Sequence, residues 1–164
     1  MLKGKAFKFG NGISTDDIIP GRFAHLRSNL PELAKHVMAD AAPTFITNVK
    51  PGDFFVAGSN LGLGSSREHA PLVIKMAGAS AILAKSVARI FFRNAINVGL
   101  PVLLCDTDGI KDGDELEINL IAGTILDLTT GNQLTFDKIP EIMHRILNEG
   151  GLLPYIQKHG DYKL

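Results

Sequence analysis

The spacing of hydrophobic residues changes along the chain, and each pattern predicts a different element. Leu2–Phe9 alternates apolar and polar residues, which is typical of a half-buried β-strand that ends at the turn Gly10–Gly12. Three short apolar runs predict further strands with both faces buried. These runs are Phe54–Ala57, Ala81–Ala84 and Leu100–Leu104.

Helical segments separate these strands. Asn29 is a predicted N-cap, with an acidic capping-box partner three residues later. A second helix ends near Gly78 and begins at either Arg67 or His69. Both starts stay open because Pro71 would strain a helix that began at Arg67. The predicted helices are Leu30–Ala39, the segment up to Gly78, Val87–Asn97 and Ile139–Glu149, with a short amphipathic segment after Gly151.

The second half of the chain predicts an antiparallel meander. Leu116–Leu120, Thr124–Leu128 and Gln133–Phe136 are strand candidates joined by glycine-containing turns. Ile13–Arg27 has no clear period and is predicted to be a loop, which is where functional residues often lie. No linker divides the chain, so we expect one α/β domain over residues 1–164.

Charge and composition exclude several function classes. Seventeen Lys and Arg residues balance seventeen Asp and Glu residues, and there is no Trp. A neutral chain poor in aromatic residues lacks the basic surface of a nucleic-acid or anionic-membrane binder and the stacking platform of a single-strand binder. No run approaches the ~18 apolar residues of a membrane span, and no secretory signal follows Met1–Lys5, so a cytoplasmic protein is expected.

The sequence contains one cysteine, Cys105. A single cysteine cannot form an internal disulfide, and it cannot hold a cysteine-rich metal site or an iron–sulfur cluster alone. Cys105 ends an apolar run, which favours a buried and inert thiol. No metal site is therefore predicted in this chain.

Gly62–His69, with the sequence GLGSSREH, is the most informative segment. Glycines let the backbone turn sharply and approach a ligand closely, and free amides before a helix favour an anion. Arg67 adds a planar charge that can hold a carboxylate through two hydrogen bonds. Beside these groups the hydroxyl of Ser65 loses its proton more easily, so the segment can either bind an anion or move a proton. A tight turn with a serine cap and a solvated arginine is the simpler alternative.

Two nucleotide-binding motifs are not met, because Gly62 and Gly64 are followed by Ser65–Arg67 rather than by the residues of a dinucleotide or phosphate loop. A generic phosphate site remains open. It leads to a second class of function, in which a non-catalytic anion-binding or regulatory module uses the same serines and arginine.

Two polar clusters lie in the predicted loop. In Ser14–Asp17 the adjacent carboxylates can orient an arginine, accept a proton or help to bind a metal. Two carboxylates are few ligands for a metal, and such segments more often cap turns. Arg22, His25 and Arg27 can bind a second acidic group on a substrate, although solvated loop charges are the commoner case.

Three strings together carry a family resemblance over essentially the whole chain. They are Ser14–Pro20 (STDDIIP), Gly58–Pro71 (GSNLGLGSSREHAP) and Ala88–Pro101 (ARIFFRNAINVGLP), and Glu149–Leu152 fits as well. In these strings the chain resembles the small subunits of two-subunit 3-isopropylmalate dehydratases, members of the aconitase superfamily. The last two strings together are far more specific than an isolated glycine motif.

The resemblance implies a swivelling β/β/α domain, with a compact barrel-like sheet flanked by helices, that closes over a larger partner subunit. That partner would carry a [4Fe-4S] cluster, whose iron acts as the Lewis acid on the departing hydroxyl. The implied reaction is the dehydration and rehydration that interconvert 2-isopropylmalate and 3-isopropylmalate in leucine biosynthesis. Neither chain would be active without the other, whether they pair as a heterodimer or a heterotetramer.

The resemblance also implies roles for individual residues. Ser65 would be the catalytic base, and Ser66 and Arg67 would bind a substrate carboxylate. Asp16 and Thr15 would belong to the same wall of the site. Two further residues lie in the loop that helps to select the substrate, Leu26 and Arg27.

The choice of substrate stays open at this point. Arg27 can pair with the distal carboxylate of a homocitrate-type substrate, which would make the chain a homoaconitase small subunit. It can equally bind a carboxylate common to all these substrates, with Leu26 or Phe23 against an isopropyl group. Isopropylmalate is the favoured alternative.

Overall fold

The computed structural model describes residues 1–65 and 67–160, and its strands form a seven-stranded sheet in the order β4-β3-β2-β1-β5-β6-β7. The strands are β1 (Leu2–Lys8), β2 (Phe54–Val56), β3 (Ala81–Ala84), β4 (Val102–Leu104), β5 (Glu115–Asn119), β6 (Thr124–Asp127) and β7 (Gln133–Thr135). All seven correspond to predicted strands, most of them one or two residues shorter than expected.

The sheet has a parallel half and an antiparallel half that share β1. Strands β1 to β4 pair in parallel, whereas β5 pairs antiparallel with β1 and with β6, and β6 with β7. Just beyond β7, the amide of Asp137 donates to the carbonyl of Leu104 at the opposite end of the sheet, at 3.1 Å. The sheet is therefore curled into a half-barrel.

Helices flank this sheet, which confirms the predicted α/β fold with a barrel-like sheet core. Among the described residues, no helix is both long enough and apolar enough to cross a bilayer. The helices are α1 (Thr15–Ile18), α2 (Leu30–Ala34), α3 (Phe45–Asn48), α4 (His69–Ala77), α5 (Arg89–Asn97), α6 (Glu141–Asn148) and α7 (Leu152–His159), with a 3₁₀ helix at Gly21–Ser28 between α1 and α2.

Both faces of β2, β3 and most of β4 are buried, as their continuous apolar sequences predict. Successive residues of a strand point to opposite faces, so Phe55 and Ile82 pack under the helices while Phe54 and Leu83 pack inside the curl against β5 and β6. A smaller cluster around Tyr155 joins α5, α6 and α7. The parallel strands thus form a rigid base from which their connecting loops project.

The prediction of a loop over Ile13–Arg27 is wrong. Ser14 and Asp17 form a capping box that starts α1: the Ser14 hydroxyl accepts from the Asp17 amide at 3.1 Å, and the Asp17 carboxylate accepts from the Ser14 amide at 2.9 Å. The 3₁₀ helix follows directly. A helix of four residues has too few side chains to show a period, which explains why the hydrophobic pattern missed it.

The helix predicted over Leu30–Ala39 is shorter than expected. Asn29 does cap it, but α2 ends at Ala34. The chain then turns so that Met38, with φ of +56°, is fully buried and donates its amide to the carbonyl of Ile18 at 2.8 Å. This tertiary hydrogen bond replaces a further helical turn. Helix α3 was not predicted.

Of the two starts proposed for the following helix, His69 is the first residue of α4. Pro71 then lies in the first turn, where its missing N–H costs no helical hydrogen bond. The residues before His69 are thereby released from the helix to form the loop after β2.

Two carboxyl groups are buried together at the antiparallel end of the sheet. Asp127 is 1% exposed, and its Oδ1 accepts from the amides of Thr129 and Thr130 while its Oδ2 has no hydrogen-bond partner among the described residues. Burial, and then the neighbouring carboxyl of Asp114, raise the pKa of Asp127, whereas a hydrogen bond from the Lys111 amide is the main cause that lowers the pKa of Asp114. Asp127 is therefore easier to protonate in the folded protein than in the unfolded chain.

We predict that Asp127→Asn is at least as stable as the original chain at pH 7. Because the pKa of Asp127 is raised on folding, its contribution to stability is present below its unfolded pKa of about 3.9 and is lost as pH rises through the folded value. The amide keeps the acceptor for Thr129 and Thr130 and stays uncharged. In urea unfolding between pH 4 and pH 8, the free energy of unfolding should decline less with rising pH in the variant than in the original chain. A variant less stable than the original chain at pH 7 would contradict this prediction.

Candidate active site

The candidate site lies at the carboxyl ends of the parallel strands. The loops after β1, β2 and β3 meet there and are joined by backbone hydrogen bonds. The Gly62 amide donates to the Ile13 carbonyl at 2.7 Å, and the Ala88 amide donates to the Leu61 carbonyl at 2.8 Å. Ligands of open parallel sheets bind at this edge because loops from neighbouring strands converge on it.

Two glycines allow the loop after β2 to approach its neighbours closely. Gly62 has a φ of +83°, and a Cβ atom there would lie 2.4 Å from Cγ of Phe91 on α5. Gly64 has a φ of +111°, and its Cβ would lie 3.1 Å from the hydroxyl of Thr15. Both the backbone conformation and the close approach require glycine. The loop is consequently packed against α1 on one side and α5 on the other.

Thr15 fixes the position of Ser65. The Thr15 side chain is at the first residue of α1 and is buried, with 2% of the residue exposed. Its hydroxyl donates to the Ser65 carbonyl at 2.9 Å, and its amide donates to the Leu63 carbonyl at 2.9 Å. Two hydrogen bonds from one residue therefore hold the backbone around Ser65, while Ser65 itself is exposed.

Arg67 is the centre of the polar arrangement. Its Nε donates to the hydroxyl of Ser65 at 3.0 Å, and its Nη1 donates to the Ile19 carbonyl at 2.6 Å. Nη1 also lies 3.5 Å from the Asp16 carboxylate, which accepts from the amide of Gly21 at 3.0 Å. Ile19 and Asp16 thus fix one edge of the guanidinium, while Nε on another edge donates a hydrogen bond to the serine hydroxyl. Its Nη2 has no hydrogen-bond partner recorded within residues 1–65 and 67–160.

Arg67 lines two neighbouring cavities, of about 490 and 240 Å³. Arg27 lines the larger cavity together with Arg67, and the rest of its wall combines apolar residues with polar ones, which include the acidic Glu68. Both cavities are also lined by Ile90 and Asn94 of α5. Paired guanidinium groups bind carboxylates or phosphates through charge-assisted hydrogen bonds, so the larger cavity fits an acidic ligand with an apolar part.

The sequence-predicted site residues are therefore brought together in part. Thr15, Asp16, Ser65 and Arg67 form one hydrogen-bonded group, and Arg27 faces the adjoining cavity. Leu26 packs against the main hydrophobic core and is not among the residues that line this cavity. Ser66 lies outside the described residues.

Two of the three residues Arg22, His25 and Arg27 of the 3₁₀ helix have contacts away from the cavity. Arg22 forms a bidentate ion pair with Asp40, and this contact raises the pKa of Arg22 and lowers the pKa of Asp40. The Nδ1 atom of His25 lies 3.0 Å from the carbonyl oxygen of Arg22. Only Arg27 of this group lines the cavity.

Cys105 is half-buried, and burial together with the carboxylates of Asp106 and Asp137 raises the pKa of its thiol to about 12. The thiol therefore stays protonated at neutral pH, which suits the expected inert role. In the part of the chain that the structure describes, no group of three or more His, Cys, Asp or Glu side chains is placed to hold a metal ion.

Sequence reasoning missed Ile90 and Asn94 as parts of the site. The buried residues of α5 are Phe91, Ala95 and Ile96. Ile90 and Asn94 are four residues apart and so share a neighbouring face, out of phase with the buried stripe. The sequence signal that could have identified Ile90 was an isoleucine outside the buried face of an amphipathic helix.

The chain is similar to proteins of known family. Residues 10–106 match the model of the aconitase C-terminal domain. The "3-isopropylmalate dehydratase small subunit 2" of Archaeoglobus fulgidus is 62% identical over 163 residues, which cover 99% of each chain. The "Isopropylmalate/citramalate isomerase small subunit" of Methanocaldococcus jannaschii is 52% identical, over 96% of this chain and 95% of that protein.

A crystal structure of 3-isopropylmalate dehydratase from Methanocaldococcus jannaschii has the same fold. It superimposes with a TM-score of 0.93 at 45% sequence identity, over 97% of this chain and 95% of that one.

We predict that Gly62→Ala destabilises the protein by about 2–5 kcal/mol, because the new methyl group adds overpacking against Phe91 to the cost of a left-handed backbone. Gly131→Ala is the matched control, since Gly131 has a φ of +80° but no atom within 4 Å of its Cβ position. We expect the control to lose only about 1–2 kcal/mol. Equal losses in urea unfolding would show that the loop does not need its close approach to α5.

Proposed function

This chain belongs to the aconitase C-terminal domain family, and we propose that it is the small subunit of a hydro-lyase that interconverts 2-isopropylmalate and 3-isopropylmalate in leucine biosynthesis. Curated relatives that match it over nearly their whole length carry the name of that subunit. Their designation as small subunits supports a large partner subunit, without which this chain is inactive. The cytoplasmic location and the single swivel domain over residues 1–164 stay predictions.

The proposal depends most on the hydrogen bond between Arg67 Nε and the hydroxyl of Ser65, 3.0 Å long, at the edge of a cavity that holds a second guanidinium group. A serine hydroxyl by itself is a weak base. A guanidinium fixed beside it stabilises the alkoxide, because the positive charge and the donated hydrogen bond both favour the deprotonated form. Arg67 can do this without moving, since Ile19 and Asp16 already hold its other edge.

In the proposed reaction Ser65 takes the proton from the carbon next to a substrate carboxylate. The electron pair of that C–H bond forms the alkene as the C–O bond of the neighbouring carbon breaks. The hydroxyl leaves as hydroxide and becomes water with a second proton, which a separate acid of the assembled enzyme supplies. Addition of water with the opposite regiochemistry, and return of the proton, gives the isomer. The same serine serves in both directions, because the base of a dehydration is the acid of the reverse hydration.

Arg67 and Ser66 are proposed to bind the carboxylate next to the reacting carbon, with Arg27 on a second carboxylate across the larger cavity. Asp16 keeps the guanidinium of Arg67 in place through its 3.5 Å ion pair. Leu26 remains a proposed contact to the substrate, although in this structure it packs against the core. Ser65 and Asp16 are exposed in the isolated chain. A partner that covers the site would exclude water and strengthen these interactions.

The residues of this chain do not fit an iron–sulfur cluster. Such clusters are held by several cysteine thiolates. The chain has one cysteine, Cys105, and burial keeps the pKa of its thiol at about 12. We therefore propose that the [4Fe-4S] cluster of the family is held by the large subunit, and the roles given above concern only residues of this chain.

We predict that Ser65→Ala, reconstituted with the large subunit, lowers kcat for isopropylmalate by on the order of 10²–10⁴, since it removes the proposed base. Ser65 is exposed, so folding and assembly should be unchanged. Ser59→Ala changes a serine of the same loop that none of the site contacts uses, and it should keep near-normal turnover. Steady-state kinetics and sedimentation of the complex measure the two effects separately.

Near-normal turnover in the Ser65→Ala complex would remove Ser65 from the role of base. Turnover by the isolated chain, without any partner, would contradict the subunit assignment. Tight calorimetric binding of phosphorylated metabolites by the isolated chain would favour the anion-binding module instead.

We predict that Thr15→Val lowers kcat by about tenfold or more with little change in KM, because small displacements of a reacting group are costly. Thr107→Val is the matched control. Thr107 is also buried, and its hydroxyl donates to the Ala57 carbonyl at 2.8 Å, as Thr15 does to Ser65 at 2.9 Å.

Both threonine variants should lose a similar free energy of unfolding, about 1–3 kcal/mol. Only Thr15→Val should lose turnover. Equal kcat values for the two variants would show that Thr15 does not position Ser65.

A further inference from the structure

Ile90 is the most exposed of the large apolar residues that line the larger cavity in the described part of the chain. It is 54% exposed, whereas the other large apolar residues of the larger cavity, Ile19 and Leu33, are 3% and 0% exposed. Ile90 lines the smaller cavity as well. A ligand held at Arg67 would therefore meet Ile90 before any other bulky hydrocarbon group in the larger cavity.

The position of Ile90 follows from how α5 is fixed. Phe91 packs under Gly62 and is 2% exposed, so the first turn of α5 is held against the glycine loop. The residue before Phe91 then points away from the core and toward Arg67 and Asn94, with which it shares both cavities. A β-branched side chain in a helix is nearly restricted to one rotamer, so Ile90 presents a rigid surface.

The environment of Ile90 distinguishes it from an ordinary exposed hydrophobic residue. Single exposed hydrophobic residues are common and need no function. Ile121 is an example, 91% exposed in the turn between β5 and β6. Ile90 instead lines a partly open cavity of about 490 Å³ that Arg27 and Arg67 also line. The two arginines of this cavity suit a dicarboxylate, and Ile90 offers an apolar surface to the remaining substituent of that acid.

We propose that Ile90 is a specificity-determining residue whose side chain contacts the branched alkyl substituent of the substrate, an inference that rests on the proposed function. Isopropylmalate and citramalate are both hydroxydicarboxylates, but the first carries an isopropyl group and the second a methyl group. Contact with Ile90 favours the larger group, because each additional buried methylene stabilises the complex. The arginines do not distinguish the two acids, since both acids have the same pair of carboxylates.

The test compares Ile90→Ala with Ile121→Ala, each reconstituted with the large subunit and assayed on isopropylmalate and citramalate. We expect Ile90→Ala to lower kcat/KM for isopropylmalate by about tenfold, chiefly through KM, and to change the value for citramalate less than about threefold. Ile121→Ala, the same change at a site far from the cavity, should leave the ratio of the two values unchanged. The affinity of each variant for the large subunit is measured in parallel.

An unchanged ratio in Ile90→Ala would overturn the proposal. A weaker affinity for the large subunit with equal losses on both acids would overturn it too, and would assign Ile90 to the subunit interface. Failure of the proposed function has a different result: the unaltered pair would then turn over neither acid, and both proposals would fall together.

Discussion

The site depends on how the guanidinium of Arg67 is held. Nη1 is fixed by the Ile19 carbonyl and lies beside the Asp16 carboxylate, while Nε donates to the hydroxyl of Ser65. A free arginine side chain would lose considerable rotamer entropy on binding a ligand. Here that entropy is already lost on folding, so the positive charge stands beside the serine before a ligand arrives, and preorganised charge of this kind is the largest contribution in many enzymes.

That arrangement requires two loops to lie very close together. The loop after β1 supplies Thr15, Asp16 and Ile19, and the loop after β2 supplies Ser65 and Arg67. They approach through Gly64, where even a methyl group would crowd the hydroxyl of Thr15. Neither loop builds the site by itself. The parallel pairing of β1 with β2 brings their carboxyl ends side by side, and the site is a consequence of that pairing.

The rest of the fold keeps this edge of the sheet rigid. The antiparallel meander curls the sheet so that the residues after β7 reach β4, and it buries the inner face of the parallel strands. Asp127 belongs to this meander, and its raised pKa reflects burial beside Asp114 in the antiparallel half of the sheet. The parallel half therefore carries the proposed chemistry, and the meander supports it. The apolar wall at Ile90 adds a way to choose among substrates with the same carboxylates.

Local sequence determined the strands, most of the helices and the chemistry of the glycine loop. Apolar runs such as Ala81–Ala84 favour burial. A glycine segment that ends in Ser65–Arg67 suits the binding of an anion or the movement of a proton, although a capped turn accounts for the same residues. The resemblance carried by the same sequence strings indicated the family, and a relative that matches 99% of the chain confirmed it.

Tertiary structure decided what local patterns could not encode. The helix that was predicted to extend to Ala39 ends at Ala34, because Met38 is buried in the core and its amide donates to the carbonyl of Ile18. Hydrophobic periodicity within one segment cannot predict this contact with another segment. Arg27 reaches the cavity while Arg22 pairs with Asp40, although both are arginines of one 3₁₀ helix. Ile90 joins the site only because Phe91 is packed beneath Gly62. Each outcome depends on which distant residues become neighbours, and that is fixed only when the sheet has formed.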